Sequence, residues 1–168
     1  MKIVISATEL KKRAAELGAE ITEYYKGKEL TVVAVMNGAM IFAADLVREI
    51  DLPLELDSVA VSSYNHLESS GELNFRCSIK NSVKDRHVLL VDDIFDTGFT
   101  ASEIMKHFKE SGALSTECCC LLNKKDVAKK APAPKWTGFD IPKVFVVGYG
   151  LDADEKYRNL PDICEFES

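Results

Sequence analysis

The sequence lacks the features that mark membrane, secreted and nucleic-acid-binding proteins. It has no apolar run long enough to span a bilayer, and its first residues, Met1–Ser6, turn polar too early for a secretory signal. It also lacks an excess of basic residues, because the formal net charge is −6, and this argues against a large nonspecific hold on nucleic acid. We therefore expect neither a membrane nor a nucleic acid as a partner.

Residues with metal-binding spacing are also scarce. The three histidines are scattered, and the five cysteines contain no CxxC pair. Cys118–Cys120 run consecutively in a predicted strand, where successive side chains point to opposite faces, so they suit core packing better than zinc binding. Reduced thiols of this kind predict a cytoplasmic location.

The sequence contains the alternating strands and helices of a single α/β domain over residues 1–168. Helical periodicity begins after a Ser6/Glu9 capping box, and a second helix carries Ile41, Phe42 and Leu46. Alternation of this kind predicts a mostly parallel sheet flanked by helices. The strands that we predict are Leu30–Met36, Val59–Ser63, Val88–Val91, Cys118–Leu122 and Val144–Val147.

A polar, turn-rich insertion interrupts the alternation at residues 65–72 and is followed by an alternating segment, Leu73–Ile79. We interpret residues 63–80 as an antiparallel hairpin that forms a flexible lid. On its own, the pattern is equally compatible with an inert surface hairpin.

The segment Val88–Ala101, VLLVDDIFDTGFTA, is the most informative in the chain. An apolar strand ends in two carboxylates, Asp92 and Asp93, and a small-residue turn then opens a helix whose N–H groups favour an anion. An alternative is that Thr100 and Glu103 form a capping box and do nothing more. That alternative leaves the adjacent carboxylates unexplained, because like charges at the end of a buried strand raise each other's pKa.

Polar residues follow several of the predicted strands at their carboxyl ends, where ligands bind in open α/β sheets. The positions concerned are Asn37–Gly38, Asp92–Asp93, Asp96–Thr100, Lys124 and Asp152. Their shared place in the topology predicts one composite site.

The acidic pair and the Asp96–Thr97–Gly98–Phe99–Thr100 loop resemble the signature of the type I phosphoribosyltransferase family. The resemblance extends to Met36–Ala39, Ser63–Tyr64 and Lys124, and to the segment Phe145–Asp152 with Arg158, all of which match the 6-oxopurine branch. It implies the fold of that family, with a small purine-binding hood built from the termini and about residues 124–168.

The resemblance also implies an activity in purine salvage. The expected reaction transfers ribose 5-phosphate from phosphoribosyl pyrophosphate to hypoxanthine or guanine, with Mg²⁺ as the cofactor. A homodimer or homotetramer is implied by the same resemblance.

The resemblance implies that most contacts with the phosphoribosyl group come from the segment Asp92–Ala101. Asp92 and Asp93 would lie near the ribose hydroxyls and the metal, with Asp152 at a second metal contact. Asp96 would act as the general base and acid at the purine. The 5-phosphate would be held chiefly by backbone donors of Thr97, Gly98, Phe99, Thr100 and Ala101.

The remaining roles fall on other segments. Asn37, Gly38 and Arg158 would bind pyrophosphate, and Ser63 and Tyr64 would close over the reacting centre. The purine would contact Lys124, Phe145, Val146 and Asp152. A lysine can donate to the oxygen at purine position 6 but can accept nothing from an adenine amino group, which predicts rejection of adenine.

Several alternatives remain open from the residues alone. Arg158, Lys124 and Phe145 could be a solvated arginine, a solvated lysine and a core aromatic. The chain could be a xanthine-preferring transferase or an RNA-binding regulator of the same fold, although the regulators usually lack the aspartate found at Asp96. Asn37 and Phe99 replace lysines that are common in the family, and we expect altered pyrophosphate affinity or subunit contacts there rather than loss of activity.

Overall fold

A computed structural model describes residues 1–63, 73–77, 79–125, 127 and 129–166. The elements in chain order are β1 (Lys2–Ile5), α1 (Ala7–Tyr25), β2 (Leu30–Met36), α2 (Met40–Arg48), β3 (Leu54–Ser63), β4 (Leu73–Cys77), β5 (His87–Phe95), α3 (Phe99–Glu110), β6 (Ser115–Lys124), β7 (Trp136–Ile141), β8 (Val146–Val147) and β9 (Ile163–Glu165).

The main sheet has six strands in the order β4-β3-β2-β5-β6-β7. Five adjacent strands, β3, β2, β5, β6 and β7, run parallel to one another. The sixth strand, β4, pairs antiparallel with β3 at the edge of the sheet. The predictions of a mostly parallel sheet and an antiparallel edge hairpin are therefore confirmed. A second, antiparallel sheet joins β1, β9 and β8, so both termini contribute to it.

Helices cover both faces of the main sheet, because its central strands are apolar on both sides. Leu10 and Leu17 of α1 and Phe42 of α2 are buried in one core cluster, while Ile104 and Phe108 of α3 are buried in the other. The predicted capping box starts α1, with the Glu9 N–H donating to the Ser6 hydroxyl at 3.4 Å and the Ser6 N–H donating to the Glu9 carboxylate at 2.9 Å.

The consecutive cysteines of β6 divide between these two cores. Cys119 lies in the α1–α2 cluster, and Cys118 and Cys120 lie in the α3 cluster, as strand alternation requires. Burial raises the pKa of all three thiols, so they stay protonated and act as core residues.

Two sequence predictions about elements are wrong. Val146–Val147 lies in the small antiparallel sheet and not in the parallel sheet, because an apolar run reveals burial but not the neighbouring strand. Thr100 does not cap α3: the cap is Gly98, with φ +83°, and the helix begins at Phe99. The strand β7, which pairs with β6, was not predicted, and it places part of the predicted hood segment in the main sheet.

Candidate active site

The two carboxylates at the end of β5 have different environments. Asp92 is only 6% exposed, whereas Asp93 is half-buried. Loss of hydration raises the pKa of Asp92 well above its ordinary range, and the neighbouring charge of Asp93 raises it further. The predicted electrostatic conflict is therefore present at Asp92, and a nearby cation would relieve it.

Three segments meet beside Asp93 through close approaches to two glycines. A side chain at Gly38 would place its Cβ 1.7 Å from the Asp93 carboxylate oxygen. A Cβ at Gly150, where φ is +104°, would lie 2.3 Å from the Gly38 carbonyl oxygen. The turn after β2, the end of β5 and the turn after β8 are therefore in close contact: a Cβ at Gly38 would displace the Asp93 side chain, and one at Gly150 would collide with backbone.

The predicted phosphate loop lies at the junction of β5 and α3. Residues 92 and 94–101 enclose a small cavity of about 60 Å³. Gly98 has a left-handed backbone, and a Cβ there would lie 2.4 Å from the Phe95 ring. The hydroxyl of Thr97 accepts a hydrogen bond from the Phe99 N–H at 3.3 Å. Asp96 is exposed at the rim of this cavity, which leaves its carboxylate accessible to a ligand.

Lys124 ends β6 and is connected to the phosphate loop by a second lysine. The Lys129 ammonium donates to the carbonyl oxygens of Lys124 at 2.5 Å and Asp96 at 2.7 Å. Lys124 is partly buried. Lys124 and Asp96 therefore lie close to each other, since both backbone carbonyls bind the same ammonium group. The sequence analysis did not identify Lys129.

Val146 lies in strand β8 of the small sheet, and Phe145 directly precedes that strand. Phe145 is 55% exposed, which excludes the alternative that it is a core aromatic, and its ring is 5.8 Å from that of Phe166. Val146 is 4% exposed and pairs with Glu165. Phe145 therefore presents an accessible aromatic face.

Asp152 and Arg158 contact each other within the carboxyl-terminal segment. Their side chains form an ion pair at 2.9 Å, and the Arg158 guanidinium also donates to the Gly150 carbonyl at 2.8 Å. Glu155 forms a second ion pair with Arg158. Arg158 is therefore not a free, solvated arginine; it braces the turn that packs on Gly38.

Asn37 is exposed in the turn after β2 and follows a cis peptide bond from Met36. Its carbonyl accepts the Met40 N–H at 3.1 Å. At the lid, Ser63 is the last residue of β3 and pairs with Leu73. Tyr64 lies outside the described residues.

Oxygen donors for a hard cation are available at the end of β5. In the described part of the chain, no three His, Cys, Asp or Glu side chains are grouped as a metal site. Mg²⁺ commonly takes one or two carboxylates and completes its shell with substrate oxygens and water. The adjacent carboxylates of Asp92 and Asp93 fit that kind of site.

A larger cavity of about 660 Å³ lies between α1, α2 and the residues around Leu160. Its lining includes Lys11, Asp45 and Tyr149, and the Tyr149 hydroxyl donates to Asp45 at 2.6 Å. None of the predicted site residues lines it, so cavity size does not identify the site here.

Comparison with known proteins identifies the class to which this fold and site belong. The family model for the phosphoribosyl transferase domain matches residues 5–154. The chain belongs to this family, and the resemblance inferred from its motifs is confirmed.

Three similar proteins are named as phosphoribosyltransferases of purine bases. The hypoxanthine-guanine phosphoribosyltransferase of Bacillus subtilis is 42% identical over 163 residues, which cover 96% of this chain and 91% of that protein. A hypoxanthine-guanine-xanthine phosphoribosyltransferase from Tritrichomonas foetus is 37% identical, with 96% and 89% covered. The crystal structure of a hypoxanthine phosphoribosyltransferase from Staphylococcus aureus superposes with a TM-score of 0.95 at 36% identity, covering 99% of this chain and 91% of that one.

Proposed function

We propose that this enzyme of purine salvage transfers ribose 5-phosphate from phosphoribosyl pyrophosphate to hypoxanthine and guanine, forming the nucleotide and pyrophosphate. The observation that carries the proposal is the junction of β5 and α3, where the carboxylates Asp92 and Asp96 line a small cavity together with the loop Thr97–Ala101. The names of the similar proteins support the choice of purine.

The 5-phosphate is assigned to the loop Thr97–Ala101. Peptide N–H groups at a helix start bind anions without a charged side chain, since they are unsatisfied there and the helix dipole adds to their attraction. Gly98 supports this assignment, because its left-handed backbone and its contact with Phe95 leave no room for a Cβ.

Proton transfer at the purine is assigned to Asp96. A general base must reach its proton directly or through one water, and an exposed carboxylate at the cavity rim meets that requirement. Lys124 would donate to the purine oxygen, and the accessible ring of Phe145 would stack on the base, with Val146 and Asp152 completing the pocket.

Pyrophosphate is assigned to the turn that contains Asn37 and Gly38. Arg158 would add a cation there, because its guanidinium is tied to Gly150, which packs against Gly38. An arginine held by a backbone carbonyl and two carboxylates is pre-oriented, and its remaining donors can bind phosphate oxygens.

Mg²⁺ would be held by Asp92 and Asp93 together with substrate oxygens, with Asp152 contributing at the pyrophosphate side. When bound, the ion would stabilise the negative charge that develops on the departing pyrophosphate. Asp93, the less buried of the pair, is placed beside the Gly38 turn, so one carboxylate serves both the ribose and the pyrophosphate ends of the site.

Three further assignments complete the proposal. Ser63 and Tyr64 would shield the activated ribose from water, with the β3–β4 hairpin as the lid. The chain would function as a homodimer or homotetramer, as the family implies.

A cytoplasmic location is supported by four cysteines that are free and buried, Cys118, Cys119, Cys120 and Cys164. No helix in the described part of the chain has the length and apolar character needed to cross a bilayer.

The test is a steady-state comparison of four bases, hypoxanthine, guanine, adenine and xanthine, with phosphoribosyl pyrophosphate and Mg²⁺. Hypoxanthine and guanine should be converted at similar kcat/KM, and adenine should react at least about a thousandfold more slowly, because Lys124 has nothing to accept from its amino group. Preferred use of adenine would overturn the base assignment, and inactivity with all four bases would overturn the function.

Xanthine is the second candidate substrate, favoured by the 37% identical Tritrichomonas foetus relative whose name includes it. Xanthine shares the oxygen at purine position 6 and differs from guanine at position 2. A kcat/KM for xanthine equal to that for guanine would assign the broader specificity.

A further inference from the structure

Lys129 joins two separate parts of the proposed site through backbone carbonyls. Its ammonium donates to the carbonyl oxygens of Asp96 at 2.7 Å and Phe95 at 3.3 Å, at the phosphate-loop end of β5. It also donates to the carbonyl of Lys124 at 2.5 Å, at the end of β6. An ammonium group has three donors, and here each of the three has a carbonyl partner.

The backbone beside Lys129 continues the same pattern. The Lys130 N–H donates to the Thr97 carbonyl at 2.8 Å. Ala131 contacts the loop as well, since a Cβ at Gly98 would lie 3.0 Å from the Ala131 Cβ. Lys129 and Lys130 therefore hold three consecutive carbonyls, those of Phe95, Asp96 and Thr97.

Fixing these carbonyls also fixes the N–H groups of the same peptide units. In a trans peptide the C=O and N–H bonds point in opposite directions. The N–H groups of Asp96, Thr97 and Gly98 must therefore point away from the 129–131 segment. Consecutive N–H groups held in this way form a concave anion-binding surface.

The charge distribution around the cavity gives this arrangement a further role. The described residues that line the cavity include two carboxylates, Asp92 and Asp96, and no basic side chain. An ammonium on the carbonyl side of the loop offsets part of the carboxylate charge, and it favours peptide dipoles whose N–H ends face the anion.

We propose that Lys129 is a positioning residue that pre-organises the phosphate loop, with the Lys124 carbonyl as its anchor on β6, without touching the substrate. This inference rests on the proposed function, because it names the device that orients the donors for the 5-phosphate. It adds a residue that lies outside the motifs by which the family is recognised in this sequence.

The experiment compares Lys129→Met with Lys130→Met. The two variants lose the same charge from adjacent exposed positions, but the contact that Lys130 makes with the loop comes from its backbone N–H. Calorimetry would measure the binding of GMP, which carries the 5-phosphate, and of guanosine, which lacks it. Thermal unfolding would show that each variant is folded, and Lys129→Gln would replace Lys129→Met if the latter proved insoluble.

We expect Lys129→Met to weaken GMP binding by about tenfold to a hundredfold, the size of a lost charge-assisted hydrogen bond, and to weaken guanosine binding much less. Lys130→Met should leave both affinities within about twofold of the wild type, the size of a surface substitution. Equal GMP affinity in the two variants, or an equal loss for GMP and guanosine, would overturn the role of Lys129. A wild-type chain that bound no GMP would overturn the proposed function itself.

Discussion

At the scale of single residues, the acidic side chains of the site have distinct tasks because their exposures differ. Asp96 is exposed at the cavity rim, Asp93 is half-buried against Gly38, and Asp92 is almost fully buried. Adjacency alone predicted the conflict between Asp92 and Asp93. Which of the two carboxylates carries the raised pKa depends on burial, which the tertiary structure sets.

Replacement of Asp96 by asparagine should lower kcat by about a hundredfold to ten-thousandfold, the usual contribution of a general acid or base. The KM for phosphoribosyl pyrophosphate should change little, since the amide keeps the size of the side chain and the phosphate donors are on the backbone. Initial rates at varied donor concentration would test this. An unchanged kcat would remove Asp96 from proton transfer.

Replacement of Asp92 by asparagine should stabilise the protein at neutral pH while it impairs catalysis. Below the ordinary carboxyl pKa, 3.8, the carboxyl group is protonated in both the folded and unfolded states. As the pH rises above that value, the unfolded state loses its proton first, and the wild type loses stability until the pH passes the raised pKa of Asp92. The stability difference between the two proteins should therefore grow across that window.

Denaturant unfolding near pH 3 and at pH 7 would measure this difference. We expect the variant to be more stable than the wild type at pH 7, because the wild type must keep a proton on a buried carboxyl group or bury its charge, and to be equally stable near pH 3. Asp51→Asn, at an exposed position, is the control and should show no such trend. A variant less stable than the wild type at pH 7 would contradict the account.

At the scale of elements, the site is built where the ends of strands and the turns that follow them meet. The sequence predicted the strands β2, β5 and β6 and the turns after them, because long apolar runs and Gly-containing turns are strong local signals. It missed β7 and the true start of α3. Trp136–Ile141 is an edge strand only partly buried, and the cap of α3 is a backbone conformation at Gly98 rather than a side chain.

Replacement of Gly38 by alanine should disrupt the contact between the turn after β2 and the end of β5. The new Cβ would lie 1.7 Å from the Asp93 carboxylate oxygen, so Asp93 or the turn must move. We expect kcat/KM for phosphoribosyl pyrophosphate to fall at least about a hundredfold, since displacements of about 1 Å have that effect.

Gly27→Ala provides the matched control. Gly27 also lies in a turn, with φ +75°, but a Cβ there would have no atom within 4 Å. That variant should lose roughly 1 kcal/mol of stability through backbone strain and keep its kcat/KM. Similar kinetic losses in both variants would show that the Gly38 contact has no special role.

At the scale of the whole molecule, the main sheet and the small sheet share one core. Val146, Leu151 and Ile163 are buried in the same core as residues of α1 and α2. This shared core holds the turn at Gly150 against Gly38. A ligand that contacts both sheets should therefore stabilise the folded chain as a unit.

Thermal unfolding with nucleotides tests this expectation. At one hundred times its dissociation constant, a ligand adds about 2.7 kcal/mol of stability, which for a chain of 168 residues corresponds to a Tm increase of about 5–10 °C. GMP should produce this increase, and AMP at the same concentration should produce a smaller one, because it offers Lys124 no acceptor at purine position 6. Equal shifts would remove Lys124 from purine selection.

The sequence by itself determined the fold class, the phosphoribosyltransferase motifs and the order of polar residues along the strand ends. These are local properties, set by hydrophobic periodicity, turn chemistry and the adjacency of Asp92 and Asp93. Only the tertiary structure decided that Gly38, Asp93 and Gly150 touch, that Val146–Val147 joins the terminal sheet, and that Lys129 spans from β5 to β6. Contacts between segments far apart in the chain depend on how the layers pack, and no local pattern specifies that packing.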